Sequence, residues 1–157
     1  MDLSTEYAAA IEAGTLMFYL GGQRRAEALL RPLARPSAEQ TARLMTLRGH
    51  CEGFAAALRR QAPVTELGAL LDETWQVKRR LSAGICPPRV DQAYAAAQAS
   101  GAAGGKLLGA GGTGCLLLMA EPSTHAGIRG ALGAFTELPF HFEPRGSRVL
   151  LTEPRHR

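Results

Sequence analysis

The sequence has few aromatic residues and little cysteine. Only 6% of its residues are Phe, Trp or Tyr, and they are not interleaved with the basic side chains. A nucleic-acid surface that stacks bases is therefore not supported, despite a formal net charge of +4. Cys51, Cys86 and Cys115 are odd in number and form no Cys-x-x-Cys pair, which predicts free thiols in a reducing compartment.

The sequence also lacks the marks of a membrane, secreted or metal-binding protein. No apolar run approaches the length of about 18 residues that a membrane-spanning helix needs. The first six residues hold no basic segment of a signal peptide, and the histidines show no metal-ligand spacing. We therefore expect a cytoplasmic protein with no membrane or nucleic-acid partner and no metal site of its own. The length of 157 residues and the 46% hydrophobic content predict a single globular domain over residues 1–157.

The hydrophobic periodicity changes along the chain. The pattern predicts helices at 4–13, 23–33, 37 to the break at Pro63, 65–81, 89–100 and 122–132, and strands at 15–20, 105–108, 114–120, 138–142 and 148–151. A helical N-terminal portion followed by strands with one intervening helix is typical of an α+β domain with a small antiparallel sheet. The longest predicted helix begins with a capping box at Ser37 and Gln40. One apolar stripe follows along it, made of Leu44, Leu47, Cys51, Phe54 and Leu58.

The stretch from Gly104 to Cys115 is the densest feature of the sequence. Six of its twelve residues are glycine, and an apolar run, Leu116 to Ala120, follows at once. Such a segment turns sharply and lets a ligand approach its bare backbone. Consecutive backbone N–H groups in a turn of this kind suit phosphate oxygens. A glycine-rich hairpin without any ligand explains the composition equally well.

Two familiar phosphate motifs do not fit this stretch. Residues 109–114 match the pattern G-x-G-x-x-G, but a dinucleotide-binding fingerprint needs a helix directly after it. Cys115 to Met119 is too short and too uniformly apolar for an amphipathic helix, and it is typical of a buried strand. No Gly-Lys-Ser/Thr ends the loop, so it is not a P-loop either.

Several motifs together carry a family resemblance. They are Trp75…Lys78-Arg79…Leu81-Ser82-Ala83-Gly84-Ile85, Asp91…Tyr94, and the segment from Gly104 to Gly114. In this arrangement they resemble the C-terminal half of a GHMP-superfamily small-molecule kinase, most of all the D-glycero-D-manno-heptose 7-phosphate kinases. Residues 139–149 and 16–30 are similar to further parts of that half, so that the match covers 15–151. The resemblance implies a ferredoxin-like C-terminal kinase domain.

The resemblance also implies a site. The family's third motif, a loop near the phosphates of Mg·ATP, would be Gly109, Ala110, Gly111, Gly112, Thr113 and Gly114. Lys78, Arg79 and Lys106 are weaker candidates for contacts with a sugar phosphate, and solvated positions on a helix end and a strand explain them at least as well. The family usually has glycine where Thr113 stands. A positive φ at that threonine would cost about 1 kcal/mol or more.

The family's catalytic motifs belong to its N-terminal half, and this sequence does not show them. It holds no Gly-x-Gly-Ser, and no carboxylate can be assigned as a catalytic base. Three hypotheses follow. The chain is the C-terminal half of a sugar-phosphate kinase that needs its other half; or it binds a nucleotide or sugar phosphate without chemistry; or it is an interaction domain with a tight glycine turn. A missing half would leave an apolar face uncovered, which predicts self-association or a partner.

Overall fold

The structure is a computed structural model that describes residues 3–22, 26–143 and 146. Its α-helices are α1 (Thr5–Ala13), α2 (Ala26–Leu30), α3 (Ala38–Arg59), α4 (Val64–Lys78), α5 (Pro88–Ala99) and α6 (His125–Ala131). Its strands are β1 (Thr15–Tyr19), β2 (Ala102–Leu107), β3 (Cys115–Ala120) and β4 (Thr136–Glu137). Two short 3₁₀ helices, Arg31–Ala34 and Pro122–Thr124, follow α2 and precede α6.

The four strands form one antiparallel sheet in the order β2-β3-β1-β4. Thr15 pairs with Met119 and Tyr19 with Cys115, so that β1 runs the whole length of β3. Helices connect β1 to the β2–β3 hairpin, and α6 connects that hairpin to β4. This connectivity is the ferredoxin-like arrangement. The predicted α+β class with a small antiparallel sheet is confirmed.

Side-chain caps fix where two of the helices begin. The Ser37 hydroxyl accepts the Gln40 N–H, and the Gln40 side-chain oxygen accepts the Ser37 N–H at 2.9 Å, so the predicted capping box is present. The same Gln40 side chain donates to the Leu81 carbonyl at 2.9 Å, which ties the start of α3 to the end of α4. At the start of α1, the Ser4 hydroxyl accepts the Tyr7 N–H.

Alternate residues of the strands serve two separate hydrophobic clusters. Leu116 and Leu118 of β3 face a main cluster that also contains Trp75, Tyr94 and Ile128. Met119 faces the other side of the sheet, where its cluster is completed by Tyr7, Ile11, Ala57, Ala62 and Leu67. Because successive strand residues point to opposite faces, the run Leu116 to Ala120 can fill both clusters at once. Both faces of β3 therefore contribute to hydrophobic clusters.

Helix α4 lies against the free edge of β2. Gly68 of the helix and Gly104 of the strand approach so closely that a Cβ on Gly104 would lie 2.7 Å from the Gly68 carbonyl carbon. Farther along this edge, Lys78 Nζ donates to the carbonyls of Leu107 at 3.0 Å and Gly109 at 2.6 Å. An edge strand left bare could pair with another chain. Here a helix and a lysine side chain occupy that edge.

Two sequence expectations differ from the structure, and a third cannot be compared with it. The predicted strand at 138–142 is wrong: pairing ends at Glu137, the Leu138 N–H makes a last bond to the Met17 carbonyl, and Pro139 has no N–H to continue the ladder. The predicted helix at 23–33 stops at Leu30, and the chain continues as a 3₁₀ turn that contains Pro32. The predicted strand at 148–151, and residues 23–25 of that helix, lie outside the described residues.

The apolar stripe of α3 is packed only in part, and Leu47 is half-buried against the main cluster. Phe54 and Leu58 are half-buried against the second cluster, whereas Leu44 and Cys51 are exposed. Within α3, Ala57 is the buried residue. Within the described residues, the positions of Leu44 and Cys51 in the stripe are therefore not covered.

Residues 140–142 are held against α1 by a carboxylate. Glu12 accepts the Phe142 N–H at 2.8 Å, and its other oxygen lies 2.6 Å from His141 Nδ1. These contacts, first the backbone N–H and then the histidine, lower the pKa of Glu12 below its ordinary 4.5. A carboxyl whose pKa is lower in the folded state stabilises that state above its ordinary pKa, and this contribution disappears as the pH falls through the folded value.

We therefore expect residues 140–142 to leave α1 in acid. A ¹³C titration of the Glu12 carboxyl by NMR should give a midpoint below 4.5. The Phe142 amide shift should move with the same midpoint, because the protonated carboxyl is a weaker acceptor. In Glu12→Gln the Phe142 amide shift should no longer follow that titration. A midpoint at or above the ordinary value would contradict the contact.

Candidate functional site

The glycine loop, residues 108–114, joins β2 to β3. Its glycines 109, 111, 112 and 114 have φ angles of 71°, 100°, 78° and 118°. Residues with a side chain rarely adopt these angles, since Cβ then crowds the backbone. The density of glycine in the sequence is thus explained by the local conformation, whatever the loop binds.

Two neighbouring segments hold the loop in place. The Gly112 N–H donates to the Ile85 carbonyl at 2.7 Å, and the Leu20 N–H donates to the Gly114 carbonyl at 2.9 Å. At Gly111 a Cβ would lie 2.6 Å from Ile85 Cγ2 and 2.9 Å from the Ile85 carbonyl oxygen. The loop is therefore clamped between the turn that follows α4 and the end of β1.

Thr113 fits this loop without the strain expected from the family pattern. Among the described residues other than glycine, Gln61 is the one with a positive φ, so the expected cost at Thr113 does not arise. Its hydroxyl donates to the Gly21 carbonyl. A Cβ on Gly22 would lie 2.9 Å from the same hydroxyl oxygen. Thr113 thus binds the loop to the glycine turn after β1.

Thr113→Val should lower the free energy of unfolding by about 1 kcal/mol, because it removes one partly buried hydrogen bond and leaves the Gly21 carbonyl without its donor. Thr113→Ser keeps the hydroxyl and should lose less. Urea denaturation of the three proteins measures both differences. Equal stability of the valine and wild-type chains would mean that the Thr113 hydroxyl does not anchor the loop.

Five backbone N–H groups of the loop have no acceptor among the described residues. Within the described residues, no hydrogen bond takes up the N–H groups of Gly109, Ala110, Gly111, Thr113 and Gly114. Backbone N–H groups need a partner, either water or a ligand. A set of such donors in one short loop is suited to an anion with several oxygens. No charged side chain is required for that contact.

Lys78 and Arg79, the two basic residues predicted at the end of α4, both have intramolecular partners. Lys78 donates to the two carbonyls at the end of β2, one of which belongs to Gly109 of the loop. Arg79 forms an ion pair with Asp91, and its guanidinium carbon lies 5.9 Å from the centre of the Trp75 ring. Beside this pair, burial raises the pKa of the Cys86 thiol, an effect that Arg79 partly offsets. Their contacts with a sugar phosphate remain a prediction.

Lys106 occupies a different environment. It is half-buried in β2 and borders cavities whose walls include Phe54, Leu58 and Leu71. Its side chain therefore lies among apolar groups of α3 and α4, not on a bare strand face. Its role in binding a sugar phosphate also remains a prediction.

Sequence reasoning missed the residues that position the loop. Ile85 and the Gly21–Gly22 turn contact Gly111, Gly112 and Thr113. The one available signal was the pair of glycines that closes the predicted strand at 15–20, because two adjacent glycines often mark a special turn. Nothing local distinguishes Ile85 from any other apolar residue.

The part of the chain that the structure describes holds no group of three His, Cys, Asp or Glu residues placed to bind a metal ion. Asp72 accepts the Tyr94 hydroxyl at 2.6 Å and Asp91 pairs with Arg79, so these two carboxylates already have partners. In the same residues, no helix combines the length and the hydropathy of a membrane span.

Comparison with known proteins identifies a family for this chain. The family model described as "GHMP kinases C terminal" matches residues 54–136. No curated protein matches the sequence. Similar solved structures include L. major mevalonate kinase in complex with R-mevalonate, with a TM-score of 0.65 and 17% identity over 76% of this chain and 37% of that one. A putative sugar kinase from Campylobacter jejuni has a TM-score of 0.62 and 21% sequence identity, and the match covers 91% of this chain and 40% of that one.

A third similar structure is a D-glycero-D-manno-heptose 1-phosphate kinase from Bacteriodes thetaiotaomicron, with a TM-score of 0.56 and 17% identity over 90% of this chain and 37% of that one. At these identities the likeness concerns the fold alone. The chain spans about two fifths of the length of the structures that it matches.

Proposed function

Since the chain belongs to the family of GHMP kinase C-terminal domains, we propose that residues 1–157 act as one domain of an ATP-dependent sugar-phosphate kinase. In this proposal the glycine loop contacts the phosphates of Mg·ATP, and the acceptor is a sugar phosphate of the heptose 7-phosphate class. The acceptor class rests on the sequence resemblance. The free thiols of Cys51, Cys86 and Cys115 fit a reducing, cytoplasmic location.

The observation that carries this proposal is that five N–H groups of the glycine loop have no acceptor among the described residues, in a loop that is held from both sides. In phosphoryl transfer, negative charge spreads over the phosphate oxygens, and donors already fixed in place stabilise it without reorganising. The bonds from Gly112 to Ile85 and from Leu20 to Gly114 supply that rigidity. The loop can therefore stabilise charge through its main chain alone.

The described residues do not fit the magnesium ion. They offer no cluster of carboxylates for it, and the carboxylates of α4 and α5 are paired or exposed. We assign no catalytic residue to this chain. In the proposal, the ligands of Mg²⁺ and the catalytic base come from a complementary kinase segment, and catalysis requires that both parts position their groups together.

Exposed apolar side chains support the need for such a partner. Tyr19, at the end of β1 beside the glycine loop, is 42% exposed, and Leu30, Leu44 and Met45 are 47%, 38% and 56% exposed. Contiguous apolar surface is typical of faces that another chain or domain covers, and Leu44 and Met45 are neighbours on α3. A complementary kinase segment, or a second copy of this chain, would cover them.

Calorimetric titration of the chain with Mg·ATP tests the proposal. We expect binding at millimolar concentration, competition by Mg·tripolyphosphate, and little competition by AMP, because the loop recognises the phosphate chain. The chain alone should show no ATP-dependent phosphorylation of a heptose phosphate. The absence of binding heat at millimolar Mg·ATP would refute the loop as a phosphate site, and turnover by the chain alone would refute the need for a partner.

A second candidate is a domain that binds a nucleotide or a sugar phosphate without chemistry. It is favoured by the same lack of a carboxylate cluster in the described residues. Both candidates predict Mg·ATP binding, and they differ when a complementary GHMP kinase N-terminal domain is added. Restored phosphorylation would select the kinase, and binding with no turnover under these conditions would select the second candidate.

A further inference from the structure

An apolar cavity of about 300 Å³ lies on the face of the sheet opposite the main cluster. Helices α1, α3 and α4, strands β1, β2 and β3 and residues 140–142 contribute to its walls. The side chains that define it are Ile11, Phe54, Leu58, Leu117, Met119 and Phe142. A volume of this size is at the lower end of small-molecule sites in proteins, which are mostly apolar with a few polar groups.

Lys106 is the one charged side chain among the residues that line this cavity. Within the described residues it forms neither a hydrogen bond nor an ion pair. The lining hydroxyl of Thr15 is already engaged, since it donates to the Ile11 carbonyl at 2.7 Å. Because the described residues offer Lys106 no counter-ion, an anion in the cavity would gain a charge-assisted contact with its ammonium group.

A second cavity of about 230 Å³ meets the first at the same lysine. The two share Lys106, Phe54, Leu58 and Leu71, and the second adds His50 and Thr74. Thr74 Oγ1 lies 3.4 Å from His50 Nδ1 and donates to the Leu70 carbonyl at 2.8 Å. Lys106 thus stands where an apolar space borders a more polar one.

We propose that this face binds an aliphatic carboxylate, with the carboxylate on Lys106 and the hydrocarbon chain in the apolar cavity. The walls offer almost no partners for the hydroxyls of a sugar, which would lose hydrogen bonds there. One cation matches the single charge of a carboxylate, whereas a phosphate group carries more charge and is usually held by several donors. The hydrocarbon chain would gain the burial of its methylene groups among Phe54, Leu58 and Met119.

Displacement of the fluorescent probe dansyl-undecanoic acid by dodecanoate, on the full 157-residue chain, tests the site. Lys106→Met keeps the apolar stem and removes the charge, and it should weaken dodecanoate binding about tenfold or more, the effect of losing one charge-assisted contact. Arg48→Met removes a charge from the exposed side of α3 and should leave the affinity unchanged. Dodecanol should bind the wild-type chain and Lys106→Met with equal affinity.

Amide shifts in NMR give a readout that needs no variant. Dodecanoate should move the amides of Phe54, Leu58, Leu117 and Met119 and leave those of Gly111 and Gly112 in place. No binding, equal affinity of wild type and Lys106→Met for dodecanoate, or shifts confined to the glycine loop would each overturn the proposal. The proposal would also be overturned if the wild-type chain is a dimer that does not bind dodecanoate and Leu58→Glu is a monomer. In that case a second copy of the chain would occupy this face.

Discussion

Gly104→Ala should lower the free energy of unfolding by about 3 kcal/mol, at the upper end of what overpacking usually costs. The added Cβ would overlap the carbonyl oxygen of Gly68 and lie 2.7 Å from its carbonyl carbon. Both atoms belong to the backbone of α4, so no side chain can rotate away. The helix would have to move off the edge of β2, together with the bonds that Lys78 makes to that edge. Urea denaturation measures the loss, which is a large part of the 5–15 kcal/mol typical of a domain.

Gly49→Ala is the matched control for this prediction. Gly49 lies in the middle of α3, and a Cβ there would meet nothing within 4 Å. The same change of residue should raise the free energy of unfolding by about 0.5–1 kcal/mol, since alanine loses less conformational entropy in a helix. If the free energy of unfolding falls in Gly104→Ala and rises in Gly49→Ala, the loss at Gly104 is due to the contact of α4 with β2. A Gly104→Ala chain as stable as wild type would mean that α4 does not sit on this edge.

Gly111→Val should abolish the binding of Mg·ATP that we propose for the glycine loop. The position has a φ of 100°, which a β-branched residue does not adopt, and the new side chain would collide with the backbone and side chain of Ile85. The Gly112 N–H would lose its bond to the Ile85 carbonyl, and the backbone conformation of the loop would change. Calorimetry should then show no binding heat at Mg·ATP concentrations that titrate the wild-type chain.

Two further variants show whether binding is lost because the loop conformation changes or because the whole domain unfolds. Gly49→Val introduces the same side chain into open space on α3 and should keep the Mg·ATP affinity. Gly114→Ala combines a φ of 118° with no atom within 4 Å of the new Cβ, so it should weaken binding less than Gly111→Val does. If Gly111→Val binds Mg·ATP as tightly as the wild-type chain, the loop is not the phosphate site.

The sequence predicted features that short stretches of chain determine. The capping box at Ser37 and Gln40 depends on residues three apart, and it is present as predicted. The glycines of residues 109–114 predicted a sharp loop before a buried strand, because positive φ angles require them locally. The apolar run after the loop predicted a buried strand, which β3 confirms. These elements sufficed to give the α+β class.

Features that depend on distant residues were not predictable in the same way. The strand expected at 138–142 has side chains suited to a strand, but its backbone does not pair with the sheet. The Phe142 N–H, for example, donates to the Glu12 carboxylate on α1. The packing of α4 against β2 requires that Gly68 and Gly104 lie opposite each other. No local sequence pattern predicts that these two glycines meet. At the loop, the strain expected at Thr113 presumed a backbone angle that the Gly21 contact does not require.

The position of β1 in the sheet affects how the chain is made on the ribosome. β1 lies between β3 and β4, and Thr15 pairs with Met119. Its partners are thus synthesised about 100 residues later, which takes roughly 5 to 20 seconds at ordinary translation rates. During that interval the early apolar segment Leu16–Leu20 emerges with both edges unpaired. Slower codons after β1 should reduce the yield of soluble protein, because the unpaired apolar segment is then exposed for longer.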